Sequence, residues 1–504
     1  MNESSLEERK LVIVGGGPSA VAALGALLGT GYIGSITIVD RSEIGIGLVF
    51  GPRCAADPAL LCNSGAGVTY LDETYSDEFV DFCAARGWPV GRDDYTPRFI
   101  FGEFCRHKYL QLAAEARARH ITLDHVRARV KTVQCADAGY KVELDQGEPL
   151  DASDVLLCVG IEEPIMPPVV AAFRGHPRLF HGAYPVDRLR GLPPSSHVLV
   201  LGLRSSALDA TQVLTAAGHT TVLTSPSGRV SAVRDRLRIS PQCFVERDRW
   251  LELDPADPDI ESKVAALLVK ATVEAGEGLE VSKQTVPASE PIGRLRAEID
   301  LAQTDRTRWS DLTYHGIGVL NEMVGGWDGP TRARLLPKAY AILTRYVNAL
   351  PLLIASRLLE SLESGRARIS PSPLRSLTPV GDGWEAEWDG GTKERFDAVV
   401  AGTGYNFPRF PMRGANGIAI THAGRLEPGE PLAKITDELR LDLGRAGGPE
   451  RIWAIGPATN QRFPMAHIIF LAARHSRSVA AQMSDAPKPD QRTEVHARSV
   501  EVSA

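Results

Sequence analysis

The chain predicts an α/β fold of two nested Rossmann-like dinucleotide-binding domains with a helical insertion. Three observations carry that prediction: a strand, glycine turn, helix and strand in order over residues 11–40, the same order again over 197–224, and an apolar strand ending in glycine after each unit. At 504 residues the chain is too long for one hydrophobic core. Hydrophobic residues at 43% and charged residues at 23% are the balance of an ordinary globular protein. A net charge of -6 argues against a nucleic-acid partner. No apolar run reaches the roughly 18 residues of a membrane span, and the polar N-terminus lacks a secretory core, so a cytoplasmic location with no membrane contact is expected.

The first unit begins at Leu11–Val14 in KLVIVGGGPSA. Gly15 permits the tight turn, Gly17 lets backbone approach a pyrophosphate, and Ala20 allows close helix-to-strand packing, with Pro18 and Ser19 opening the helix that runs to about Leu28. The second strand, Ser35–Val39, ends in Asp40 and Arg41, where an acid accepts from a ribose hydroxyl.

The second unit, VLVLGLRSSALDA, keeps Gly202 at the turn and Ala207 at the third small position, but Arg204 replaces the middle glycine. A guanidinium there contacts phosphate itself or keeps the nucleotide further out, and Ser205 and Ser206 add donors at the helix start. The following strand, Thr220–Thr224, ends without an acid. Ser225, Ser227, Arg229 and Arg234 make a neutral-to-basic surface suited to a 2′-phosphate, which favours NADPH over NADH; a unit kept only for packing is the alternative.

Short alternating strands fill 121–160 and close on DVLLCVG at Gly160. RFDAVVAGTGYN repeats that ending at Gly404, and IWAIGPATN supplies another at Gly456, before a helix starting near Met465. The expected division is therefore 1–194 with 376–485 as a discontinuous FAD-binding domain, 195–375 as the NADPH-binding domain carrying a helical insertion at about 235–363, and 486–504 as a disordered tail.

These segments, together with GIGLVFG at 45–51, DPALLCNSGAG at 57–67, YTPRFIFGEF at 95–104 and SGRVSAVR at 227–234, resemble the bacterial FAD-NAD(P)-binding protein family. Its members are glutathione-reductase-like, two-dinucleotide flavoproteins related to class B flavin N-monooxygenases, and within it the chain resembles the branch that includes nitrosuccinate-forming aspartate N-monooxygenases. The resemblance covers about two thirds of the chain and is poor over the insertion. It implies FAD in the first site, with Leu61 to Val68 along the flavin and Asn63 offering an amide to ring or substrate, which makes Asn63 the one candidate catalytic side chain. It also implies NADPH as reductant, dioxygen as co-substrate and oxygen transfer from a flavin hydroperoxide to the amine of a small amino acid. Aspartate is the candidate substrate, with further oxidation to a nitroso or nitro product left open. Relatives often carry an acid after the last strand-glycine; here Pro457 stands there, so ribityl contacts must come from elsewhere.

The remaining residues narrow the chemistry. Cys54 and Cys62 are too far apart for a redox pair beside a flavin, no GxSxG elbow is present, and the scattered histidines suggest no metal site. An acidic substrate needs guanidinium partners, and the insertion offers Arg294, Arg296, Arg306 and Arg308. A different flavin oxidoreductase, acting as a dehydrogenase or on carbon, and a catalytically silent flavoprotein stay open beside this reading. A homo-oligomer joined through helical faces is also consistent with it.

Overall fold

A computed structural model describes residues 9–51, 57–237, 239–240, 242–276, 290–304 and 307–484. Arg306, Cys54 and the segment 486–504 lie outside these residues.

Two five-stranded parallel sheets organise the molecule. The first has the order Ile452–Ala454, Asp154–Leu157, Lys10–Val14, Ser35–Val39, Leu123–Val126, and the second the order Ala367–Ile369, Thr220–Thr224, His197–Leu201, Ala398–Ala401, Leu179–Phe180. Their central strands are buried on both faces, which is why they read as unbroken apolar runs. In each unit the strand–turn–helix order follows the sequence closely: the helices span Pro18–Gly29 and Ser205–Ala216.

The two turns are built alike. Gly15 at φ +96° and Gly202 at φ +125° occupy the region open to glycine. Their amides donate to Val39 O at 2.9 Å and Thr224 O at 2.7 Å, the last residue of the neighbouring strand in each case. A Cβ on Gly15 would meet Cys158 O at 2.7 Å, and one on Gly202 would meet Gly402 O at 2.4 Å. Each glycine turn therefore abuts the exit of the strand on its other side, so the two exits occupy equivalent places in the two sheets.

Sheet membership corrects the expected domain boundaries. Ala398–Ala401 pairs in parallel with His197–Leu201, and Leu179–Phe180 pairs with Ala398–Ala401, so both strands belong to the second sheet and not to the first domain. The hairpin strands Leu374–Val380, Gly383–Trp388 and Lys393–Phe396 pack Leu377, Trp384 and Phe396 against Leu199, Leu201 and Val399 of the same sheet. The second domain thus begins before 195 and continues past 375. A four-stranded antiparallel sheet (Gly417–Ala419, Val130–Cys135, Tyr140–Leu144, Leu150–Ala152) covers the first.

Between Thr220–Thr224 and its parallel neighbour Ala367–Ile369 the chain is mainly helical: Arg247–Leu251, Ile260–Ala275, Pro291–Gln303, Trp309–Gly325, Gly329–Tyr346 and Leu352–Glu363. The last long helix begins at Ile469, not near Met465, because Ile468 is still extended backbone.

Candidate functional site: a cleft between two glycine turns

Both glycine turns open into one cleft of about 1520 Å³, lined by residues of both sheets, of the insertion and of the segment before the last helix. Single small-ligand pockets run to roughly 1,000 Å³, so the space suits more than one ligand. Both helices present their N-termini to it, with no side-chain cap and no acid in the first turn. Gly17 is the N-cap of the first, and a Cβ there would have nothing nearer than Gly47 Cα at 3.9 Å. The glycine therefore keeps open a cradle beside free amides, the geometry a pyrophosphate needs.

Asp40 reinforces this turn: its carboxylate accepts from the Gly16 amide and from the Ser42 amide, each at 2.7 Å. Each oxygen keeps a second lone pair for a ribose hydroxyl. At the second turn Arg204 is the N-cap residue, extended at φ −116°, with its side chain exposed at the lip of the cleft beside Ser205 and Ser206. Ser225, Ser227 and Arg229 follow along the same wall.

Most predicted residues meet here: Gly15, Gly17, Pro18, Ser19, Asp40, Arg41, Asn63, Gly160, Gly202, Arg204, Ser205, Ser206, Arg229, Gly404 and Met465 all line the cleft. Others do not. Ala20 is fully buried behind the turn. Gly456 serves packing, since a Cβ on it would meet Ser19 Oγ at 2.4 Å. Leu61 turns its side chain into the core of the second domain and does not line the cleft.

The insertion arginines are corrected as well. Arg296 pairs with Glu363 at 2.6 Å on the surface, and Arg308 lies 3.6 Å from Asp311; neither lines the cleft. Arg294 packs outside the lining, and burial together with the like charges of Arg345 and Arg229 lowers its pKa. Its Nε lies 4.0 Å from Glu298 of the same helix. Arg234 also departs from expectation. Instead of extending the wall that begins at Arg229 it turns inward, 1% exposed, donating to Val347 O at 3.2 Å and to Asn63 O, while its Nε has no partner.

Among the described residues, seven arginines line the cleft. Arg41 and Arg129 share Glu162, and Arg98 pairs with Asp209 at 2.5 Å. Arg204, Arg229, Arg234 and Arg409 have no carboxylate partner among the described residues. Arg409 donates to Pro408 O at 2.7 Å and to Asn460 Oδ1 at 3.2 Å, and burial, with Arg332 as a like-charged neighbour, lowers its pKa. His467 lines the cleft beside Phe407, its Nδ1 buried without a partner, and burial pushes its pKa down to about 4, which leaves it neutral at pH 7. Cys62, also in the lining, is a protonated thiol, its pKa pushed up to about 11 by burial. Arg98, Arg409 and His467 escaped sequence reasoning. The signal available was that each lies within or a few residues after a segment already noted: Arg98 in YTPRFIFGEF, Arg409 after RFDAVVAGTGYN, and His467 after IWAIGPATN.

Residues 12–162 match the model of a family described as FAD-NAD(P)-binding. No curated protein is similar enough to the chain to match it. Among solved structures, the ornithine hydroxylase of Pseudomonas aeruginosa is similar at 16% identity and TM-score 0.52, over 95% of this chain and 99% of that one. An ornithine N-hydroxylase of Kutzneria sp. 744, in a structure titled with reduced FAD, NADP+ and L-ornithine, is similar at 15% identity and TM-score 0.54 over 95% and 99%. L-lysine 6-monooxygenase of Pseudomonas syringae follows at 14% identity and 0.51 over 96% and 100%. The chain thus shares the fold of these three structures. Among the described residues no helix is long and apolar enough to cross a membrane.

Proposed function

We propose that the chain is an FAD- and NADPH-dependent N-monooxygenase acting on the amine of a small acidic amino acid, aspartate being the candidate, with dioxygen as co-substrate. The observation that carries the reading is the single cleft into which two uncapped helix N-termini and four arginines without acidic partners converge. The chemistry supplied by bound flavin is reduction by the nicotinamide and activation of dioxygen.

The chain's own residues do the rest. Gly15, Gly17, Ser19 and Asp40 hold the flavin nucleotide, and Gly202, Arg204, Ser205, Ser206 and Arg229 hold the phosphates of NADPH. Subtracting these leaves Arg234 and Arg409, two cations with no phosphate assigned to them, which suit the two carboxylates of an amino dicarboxylate. Among the described residues, Asp40 and Glu162 are the carboxylates that line the cleft, and both are already engaged, so a second ammonium group would find no free counter-ion among them. Asn63 and neutral His467 supply hydrogen bonds to ring or amine without adding charge.

NADPH oxidation across the amino acids, with peroxide and hydroxylamine products measured in parallel, tests this reading. Stimulation by aspartate with little peroxide is expected. Stimulation by ornithine or lysine in its place, or peroxide formed in step with NADPH whatever the amino acid, overturns it.

A further inference from the structure

The cleft is crossed at its floor by a buried polar cluster that the nucleotide sites do not explain. Arg98, 8% exposed, opens the helix Arg98–Ala118 of the first domain, and Asp209, 3% exposed, sits one turn into the helix Ser205–Ala216 of the second. The two pair at 2.5 Å, and the Tyr184 hydroxyl donates to the same Asp209 oxygen.

Arg98 Nε also donates to Leu61 O at 2.9 Å. The segment Leu60–Cys62 is fixed further by Arg98 N to Leu60 O at 2.9 Å and by Cys62 N to Thr96 O at 2.8 Å. Leu60 and Leu61 bury their side chains among Val198, Val200 and Leu208 of the second domain. One guanidinium therefore joins the segment leading to Asn63 with the helix whose first residues face the second nucleotide. A buried ion pair adds little net stability over apolar packing, whereas fixing one geometry is a role such a pair can perform.

We propose that Arg98 and Asp209 are positioning residues that hold the second nucleotide's helix at a fixed distance from the flavin-facing segment. The register they set is the one in which a hydride, two electrons with one proton, passes from the nicotinamide, which is oxidised, to the flavin, which is reduced. Misplacement by about 1 Å is enough to cost such a step up to a hundredfold.

Two variants test this in the full chain loaded with FAD: Asp209→Asn, which keeps the shape but not the charge, and Arg98→Met with Asp209→Leu, which replaces the pair by apolar groups and carries the test should the first not fold. The measurements are the anaerobic rate of flavin reduction by NADPH, the Kd for NADP+, reduction by dithionite, and hydrogen exchange of the cofactor-free protein. Expected are a fall of at least about tenfold in the NADPH-driven rate, a Kd for NADP+ within about threefold, unchanged dithionite reduction, and faster exchange in Leu60–Ser64 and Ser205–Ala216 together. A wild-type rate in the folded variants, or a rate lost only in proportion to NADP+ affinity, overturns the proposal.

Discussion

At the scale of residues, the glycines differ in what a side chain on each would meet. An alanine at Gly17 fits the protein but enters the nucleotide cradle, so Gly17→Ala is expected to leave the melting temperature of the cofactor-free protein unchanged and to weaken FAD binding by about tenfold or more, about 1.4 kcal/mol, by equilibrium titration. Gly15→Ala combines a positive φ with contact on Cys158 O and is expected to cost about 1–3 kcal/mol in stability before any cofactor is added. Arg409→Gln and Arg234→Gln are each expected to raise the KM for the acidic amino acid tenfold or more, the loss of about 1.5–3 kcal/mol for a hydrogen bond to a charged group, with the KM for NADPH unchanged. Equal effects on both KM values would reassign these arginines to phosphate. His467 and His475, both held neutral with pKa values pushed down to about 4 by burial, set a pH dependence. The unfolded chain binds more protons than the folded one between about pH 6.5 and 4. Stability is therefore full above 6.5 and lost as pH falls through that window, on the order of 1–3 kcal/mol for each imidazole. His475→Leu is expected to flatten the fall in melting temperature between pH 6.5 and 4.5. What could be read from sequence at this scale were residues with a backbone task, such as Gly15, Gly202 and Asp40, whose spacing from a strand is fixed. Arginines were legible only by type: Arg294, Arg296 and Arg308 face partners or the surface, whereas Arg409, in a segment without periodicity, faces the cleft.

At the scale of elements, local pattern and long-range pairing part company. The helices of the two units start where glycine and proline or serine chemistry starts them, and the first ends within a residue of expectation. Ala398–Ala401 was equally legible as a strand, yet its sheet was not, because a strand buried on both faces has no polar face to mark its neighbour. Leu179–Phe180, two residues long, carries no period at all. The uncapped helix Ser205–Ala216 makes its own prediction. Arg204→Ala removes a charge-assisted contact at the N-terminus but leaves the amides, so the KM for NADPH is expected to rise about tenfold at low ionic strength and by less as salt is added. A salt-independent effect would point to a packing role for Arg204.

At the scale of the whole molecule, function rests on two similar sheets facing one cleft. The glycine of each turn abuts the exit of the adjoining strand, so the two nucleotide sites are repeats of one construction, and the insertion between Thr224 and Ala367 adds a wall from its helix Gly329–Tyr346. The Arg98–Asp209 pair then joins the halves at the floor of that cleft. Arg234 and Arg409 line the same cleft without a carboxylate partner among the described residues, the feature on which the proposed acidic substrate rests. The measurement that tests the account most directly is the visible spectrum of the purified, FAD-supplemented protein on anaerobic addition of NADPH. The account predicts a retained flavin band that bleaches with NADPH faster than with NADH. A colourless protein, or a retained flavin that neither nucleotide bleaches, would contradict it.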